Sequence, residues 1–584
     1  METIAVSGRS DVVVIGGAAA GPKTAATLAR RRPDWRITLF EKGERVSFAT
    51  CGLPWLAAGE IPSPDALVRT SWGAERSPEF FRDYKGFTAV TKAEVIALDR
   101  ARRTVTVRRT ATGETFAHGY DKLVLATGAT PRTPPFPCCR SERVRHFTRP
   151  QDAIAFRRLA EQGKIGEAVI IGAGLVGCEL AEAAAGLWGI RTRVIERERH
   201  ALPYALDEDM AVHVAGELAR NGVLLVTGAT VRRVVEDDDR LAVEFLSGED
   251  GTDARTCTGD FVFLCIGVQP ETTLARTAGL AIGASGGLRV NEFLQTSDPH
   301  IYAAGDCIES THLISRRPLS LPMGSLANRH GRVIAEHMTG GEARLAGVAG
   351  GTAVKVFGLN VASVGLTERA AAEAGFAARA VTGSFSDRPD YHPEHESVIA
   401  KLVYDPADRR LLGLQAVGAG EVVRRIDVFS SFLQRGAIVE DLLDFEHAYS
   451  PPYAEALDPL HHLAAMAQAQ ERGVEFVGAV RALAEAPPDA LWLDVRERGE
   501  TAERPLAVPG APRRLLNLPL GELRAQLDSL DRRRDTYVVC RRGARAYQAA
   551  LLLRSHGFER VHVVGGGMAA LEASISDGPD RDGN

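Results

Sequence analysis

The 584-residue sequence predicts an α/β protein of several domains, built around two copies of a doubly wound β-turn-α unit. Three observations carry this. One strand, Gly-rich turn, helix and second strand ending in an acid occurs twice; near Gly347 the pattern changes to shorter strands; and strand–helix alternation resumes near residue 476. A chain of this length exceeds what one hydrophobic core organises, since single cores stop growing at roughly 250–300 residues.

The first copy is Asp11-Val-Val-Val-Ile15, the turn Gly16-Gly17-Ala-Ala-Ala-Gly21, an Ala-rich helix to about Arg32, and Ile37-Thr-Leu-Phe-Glu41. The second is Ala168-Val-Ile-Ile171, the turn Gly172-Ala-Gly174-Leu-Val-Gly177, a helix to about Gly186, and Thr192-Arg-Val-Ile-Glu196. A tight turn at a helix N-terminus offers backbone N–H groups to a pyrophosphate, and an acid about 20 residues past the last glycine meets a ribose. Both copies therefore read as Rossmann-like dinucleotide sites. The first has Ala18 at the middle glycine position. Leu123-Val-Leu-Ala-Thr127-Gly128 and Ile301-Tyr-Ala-Ala-Gly305-Asp306 supplement it as strands that end at small-residue turns, and Gly267 marks a similar turn in the second copy.

Short strands then follow at Ala353–Val356, Ala362–Val364, Val398–Tyr404 and Leu411–Val417, and the Ala- and Gln-rich stretch after residue 462 reads as a polar connector. The last block has strands at Leu491–Val495, Tyr537–Val539 and Val561–Val564, and the end of the chain is Asp/Gly-rich and expected to be disordered.

A net charge near −5 argues against a broad nucleic-acid surface. No apolar run reaches the roughly 18 residues of a membrane helix, and the first apolar run, Val12–Ile15, is too short for a signal peptide. The cysteines at 51, 138, 139, 178, 257, 265, 307 and 540 form neither a disulfide framework nor a zinc spacing, so no metal is expected. Scattered cysteines point to a reducing, cytoplasmic setting.

On these motifs residues 10 to about 460 resemble the pyridine nucleotide-disulfide oxidoreductases. The resemblance implies an FAD-binding domain (1–150 and 276–345), an inserted NAD(P)H-binding domain (151–275), an α+β dimerisation domain (346–462) and a linker (463–475). It places Glu41 on the FAD ribose, Asp306 against the flavin chain and Glu196 on the adenine ribose of the nicotinamide cofactor. An acid there favours NADH, while Arg197 and Arg199 leave NADPH open.

Dithiol members of this class have two cysteines with four residues between them. The positions five away from Cys51 are Val46 and Leu56, so Cys51 stands alone. A lone thiolate beside a flavin either attacks a disulfide or persulfide or cycles through sulfenic acid. The string Ser47-Phe-Ala-Thr50-Cys51-Gly-Leu-Pro resembles the Ser-Phe-x-x-Cys segment of coenzyme A disulfide reductases, with Thr50 where Asn is common. Tyr449-Ser-Pro-Pro-Tyr453 resembles the dimerisation-domain stretch that in that family reaches the partner's cysteine, together with a tyrosine that here is Tyr391. The implied protein is a homodimer whose phenols protonate a leaving thiolate. Lys23 and Arg30 to Arg32 are the cations offered to coenzyme A phosphates.

Cys540-Arg-Arg-Gly-Ala-Arg545 follows a strand and opens a helix, a setting in which backbone N–H groups stabilise a persulfide anion. With Leu493-Asp494-Val-Arg496-Glu, Val508-Pro-Gly510, Asn517-Leu-Pro-Leu520 and Gly565-Gly-Gly567-Met568, it resembles a rhodanese domain over 476–573, before a tail at 574–584. Arg545 closes a loop one residue shorter than that of related phosphatases, pointing to sulfur rather than phosphate. The resemblance implies an FAD-dependent NAD(P)H reductase of coenzyme A disulfide, coenzyme A persulfide or polysulfide, with sulfane sulfur supplied by Cys540. An NADH oxidase or peroxidase cycling a Cys51 sulfenate, and a thiol sensor or sulfur carrier, are the alternatives.

Overall fold

The computed structural model describes residues 10–248, 250–508 and 515–576. Asp11–Ile15 is a run of valines and isoleucine that needs cover on both faces, and it becomes the central strand of a parallel sheet. The strand order is 301–303, 122–125, 11–15, 36–40, 88–90. The second copy repeats the plan, in the order 223–226, 191–195, 167–171, 261–264, 144–146, again all parallel. A three-stranded antiparallel sheet accompanies each, at 93–119 and at 230–259. The chain leaves the first fold for the second and then returns. Ile301–Ala303 pairs with Lys122–Leu125, and helix Gly324–Met338 packs on helix Ala20–Arg31.

The third unit is an antiparallel sheet ordered 352–356, 359–365, 411–418, 397–404, 379–386, covered by helix Val422–Gln434 through Ile426, Phe429 and Leu433. The edge strand Arg379–Ser386 was absent from the sequence expectation, because Thr-Gly-Ser gives no apolar alternation. Most of the expected linker, 463–475, is helical. Residues Pro459–Glu471 form a helix, started by Asp458 accepting from the Leu460 N–H, with Leu463, Ala464, Ala467 and Ala469 buried. Its small apolar residues serve helix packing rather than a solvated link.

The fourth unit is a parallel sheet ordered 475–477, 561–564, 536–539, 491–494, 515–517. Helix Gly567–Ser576 shows that residues 574–576 continue the fold instead of opening a tail. Residues 577–584, and Pro509 and Gly510 of the Val508-Pro-Gly510 motif, lie outside the described residues. One apolar cluster runs from Phe429 through Leu463 and Ala467 to Phe476, Leu493, Val538 and Leu553, so the third and fourth units share a core.

Candidate active site

The two nucleotide turns have the same construction. Gly16 has φ +107° and Gly172 φ +108°. A Cβ would lie 2.0 Å from the Ala126 carbonyl oxygen in the first case and 2.4 Å from that of Cys265 in the second. At Gly21 and Gly177 a Cβ would lie 1.9 and 2.0 Å from the carbonyl oxygens of Gly16 and Gly172, so the first turn of each helix admits only glycine there. Each acid at the end of the second strand grips its own turn. Glu41 accepts from the N–H groups of Gly17 and Gly43, both at 2.7 Å. Glu196 accepts from Ala173 at 2.6 Å and Glu198 at 2.9 Å. The Ala18 departure is harmless to the protein, since a Cβ on its counterpart Gly174 meets no protein atom within 4 Å.

Thr127 and Gly128 follow the neighbouring strand, where the Thr127 hydroxyl donates to the Glu271 carbonyl at 2.7 Å. Gly267 lies beside Arg132, whose N–H donates to its carbonyl at 3.1 Å. Gly305 and Asp306 sit at the end of strand Ile301–Ala303. Burial holds the Asp306 carboxyl above its ordinary range, and among the described residues no hydrogen bond satisfies it. His330 accepts from the Gly305 N–H at 3.1 Å through Nδ1, while its buried Nε2 has no partner among the described residues. Unmet polar atoms beside a glycine turn fit a dinucleotide carrying hydroxyls and phosphates.

Cys51 is exposed, on a 3₁₀ turn Thr50–Gly52 that runs into helix Leu53–Ala58. Its loop is tied to the first nucleotide turn: the Ser47 N–H donates to the Gly17 carbonyl at 2.6 Å and that of Ala49 to Leu67 at 3.1 Å. Ser47 is held at φ +60°, and Arg76 donates to its carbonyl at 3.0 Å. Burial pushes six other thiols up, among them Cys178 to about 12, and Cys138 and Cys139 belong to that set. Cys51 is the one exposed thiol among the eight cysteines.

The sequence reading missed Glu179, two residues beyond Gly177. It lines a small pocket with Pro54 and Trp55 from the helix after Cys51, and with Glu182 and Lys355. Lys355 pairs with Glu182 at 2.8 Å. Burial, with Glu182 beside it, pushes the Glu179 carboxyl up to about 7. A half-buried carboxyl thus stands between the helix that follows the second nucleotide turn and the helix that follows Cys51. The spacing Gly172-x-Gly174-x-x-Gly177-x-Glu179 was the available signal.

Tyr391 and Tyr449 lie together on the third unit. Partial desolvation and the neighbouring Tyr449 raise the Tyr391 phenol. Among the described residues no hydrogen bond or ion pair joins them to the Cys51 loop of the same chain. Tyr391, Tyr449, Tyr453 and Leu457 are each exposed. Of the proposed coenzyme A cations, Arg31 pairs with Glu336 and Arg32 with Asp34.

Cys540 is buried at the start of helix Ala544–Ser555, and its sulfur accepts from the Gly543 N–H at 3.0 Å. Arg545 makes a two-point contact with Glu500 at 2.6 and 2.8 Å, which draws that carboxyl down to about 2. Asp494 and Arg496 form a buried pair at 2.7 Å, and Asn517 donates to both their carbonyls. The glycine motif reaches the same loop, where the Met568 N–H donates to the Cys540 carbonyl at 2.9 Å.

Two dinucleotide turns flanking a single exposed thiol define a nicotinamide-dependent oxidoreductase. The chain belongs to the pyridine nucleotide-disulphide oxidoreductase family: residues 10–325 match its model, residues 352–461 its dimerisation domain, and 478–574 a rhodanese-like domain. Proteins of this family bind FAD and NAD(P)H. The chain is 33% identical to the NAD(P)H sulfur oxidoreductase (CoA-dependent) of Pyrococcus abyssi, over 78% of this chain and 98% of that one. It is similar to an NAD-dependent persulfide reductase structure from A. fulgidus (TM-score 0.89, 36% identity, covering 96% and 99% of the two chains). The reduced Bacillus anthracis CoADR-RHD structure matches with TM-score 0.88 and 30% identity, covering 98% and 99%.

Proposed function

We propose that this chain is a homodimeric, NAD(P)H-dependent flavoprotein that reduces coenzyme A disulfide, coenzyme A persulfide or polysulfide through Cys51, with sulfane sulfur carried by Cys540. The observation that carries the reading is the attachment of a lone, exposed Cys51 to the first nucleotide turn through Ser47 and Gly17. In the proposal FAD binds at Gly16, Gly17, Gly21, Glu41, Thr127, Gly128, Gly305 and Asp306. The nicotinamide cofactor binds at Gly172, Gly174, Gly177, Glu196 and Gly267, with NADH preferred.

The Cys51 thiolate attacks one sulfur of the substrate, forming a mixed disulfide and expelling a thiolate, or sulfide when the substrate is a persulfide. FAD, when bound, supplies two-electron transfer from the nicotinamide to that mixed disulfide. Tyr391 and Tyr449 of the partner hold the proton for the leaving thiolate; the raised phenol of Tyr391 keeps its proton at neutral pH. The exposed Tyr391, Tyr449, Tyr453 and Leu457 support a face covered by a second copy. Cys540 carries the sulfane sulfur in the loop held by Gly543 and Arg545. The eight free thiols support a reducing, cytoplasmic compartment.

Anaerobic NADH oxidation with coenzyme A disulfide, coenzyme A persulfide and polysulfide offered separately tests this. Turnover should vanish in Cys51→Ser and fall in Cys540→Ser only with sulfane donors. No anaerobic turnover, with brisk oxidation on admitting oxygen or peroxide, would replace this reading with the sulfenate-cycling oxidase.

A further inference from the structure

The turn Gly565-Gly566-Gly567 supports the sulfur-carrying loop and also touches another domain. On one side the Met568 N–H donates to the Cys540 carbonyl at 2.9 Å. On the other, the Gly566 N–H donates to the Thr382 carbonyl at 3.1 Å, on the edge strand Arg379–Ser386. A Cβ at Gly565 would lie 2.8 Å from that same Thr382 oxygen, whereas its nearest contact within its own domain, the Val477 oxygen, would be 3.4 Å away. Gly565 also lacks a positive φ, unlike Gly566 and Gly567. Its missing side chain therefore serves the contact between domains and not the fold of its own.

The strand that receives this contact leads directly into the loop bearing Tyr391, where a second contact forms. Arg542, two residues past Cys540, pairs with Asp390 at 2.7 Å. The base of that loop is braced by hydrogen bonds: Asp387 accepts from the N–H groups of Glu396 at 2.8 Å and Glu421 at 3.2 Å. Arg425, buried and paired with Asp458 at 3.2 Å, donates to the Asp387 carbonyl. Beneath both contacts lies the apolar core that the two domains share.

We propose that Gly565 and the Arg542–Asp390 ion pair form a two-point dock that fixes the Cys540 loop beside Tyr391, making all three positioning residues for sulfur delivery to the reductase site. The proposal rests on the relay of Cys540 sulfur described above. Arg542 and Asp390 are both partly solvated, so their pair is salt-screened and worth at most a few-fold in the docked population. The glycine contact sets the register and the ion pair holds it closed.

The test uses the full-length protein with Gly565→Ala, Asp390→Arg and the exchanged pair Asp390→Arg with Arg542→Asp. Three rates are measured: NADH oxidation with polysulfide, NADH oxidation with coenzyme A disulfide, and sulfur transfer from thiosulfate to cyanide. In Gly565→Ala and Asp390→Arg the polysulfide kcat should fall about threefold. KM for NADH and the other two rates should hold, and the exchanged pair should regain the loss. Amide hydrogen exchange over residues 387–396 gives an independent readout and should quicken in both single variants. A polysulfide kcat equal to wild type in both, or an exchanged pair no better than Asp390→Arg, overturns the delivery role. Should Cys540→Ser itself leave polysulfide turnover unchanged, the relay fails while the exchange data still decide the dock; unaltered exchange overturns the dock as well.

Discussion

Glu179 offers a quantitative test of the site, through the substitution Glu179→Gln. Its carboxyl is pushed from 4.5 up to about 7, first by burial and then by the nearby Glu182. A native group that holds its proton more tightly than the unfolded chain stabilises the fold fully at pH values below the unfolded pKa. That contribution is lost as pH rises from about 4.5 to about 7, because the unfolded carboxyl ionises freely while the native one resists. The interval corresponds to roughly 3 kcal/mol in all. Glutamine keeps the shape and carries no charge to desolvate. The variant should match wild type near pH 4.5 and exceed it by up to about 3 kcal/mol above pH 8. Paired urea denaturation curves across that range, at fixed ionic strength with FAD supplied in excess, give the difference directly. A wild-type-to-variant difference that stays flat with pH would falsify the assignment of Glu179 as a desolvated, proton-holding carboxyl.

Three further outcomes follow from individual contacts. Glu196→Ser removes the acceptor held by Ala173 and Glu198, and should raise KM for NADH about tenfold while reducing the preference over NADPH, read from initial rates with each cofactor. Gly177→Ala puts a Cβ 2.0 Å from the Gly172 oxygen and should cost about 1–3 kcal/mol, checked by thermal unfolding alongside NADH titration. His562 is raised despite burial, because Glu475 and Asp535 flank it, so its stabilisation is present below its ordinary 6.5 and lost as pH rises through the native value. His562→Gln should therefore be more costly near pH 5.5 than near pH 8.5, measured as the shift in unfolding midpoint at each.

The two nucleotide turns were legible because their constraint is local: Gly16 with Gly21, and Gly172 with Gly177, are required by backbone atoms of the same turn or of the strand beside it. Glu41 and Glu196 were legible for the same reason, each lying at the end of the strand next to its turn. Glu179 was not, because an acid on a helix ordinarily reads as solvated, and its burial depends on Pro54 and Trp55 arriving from a distant segment. Strand Arg379–Ser386 was missed on the same ground. Its Thr-Gly-Ser composition suits a surface loop until helix Pro459–Glu471 and the last domain cover it. The glycine triplet at 565–567 shows the difference within three residues. Gly566 and Gly567 adopt left-handed conformations that a turn alone explains, while Gly565 has an ordinary backbone and is needed only because Thr382 approaches. A sequence motif records that glycine is present at all three positions; only the contact across the domain boundary separates the residue that shapes the turn from the one that lets another domain come close.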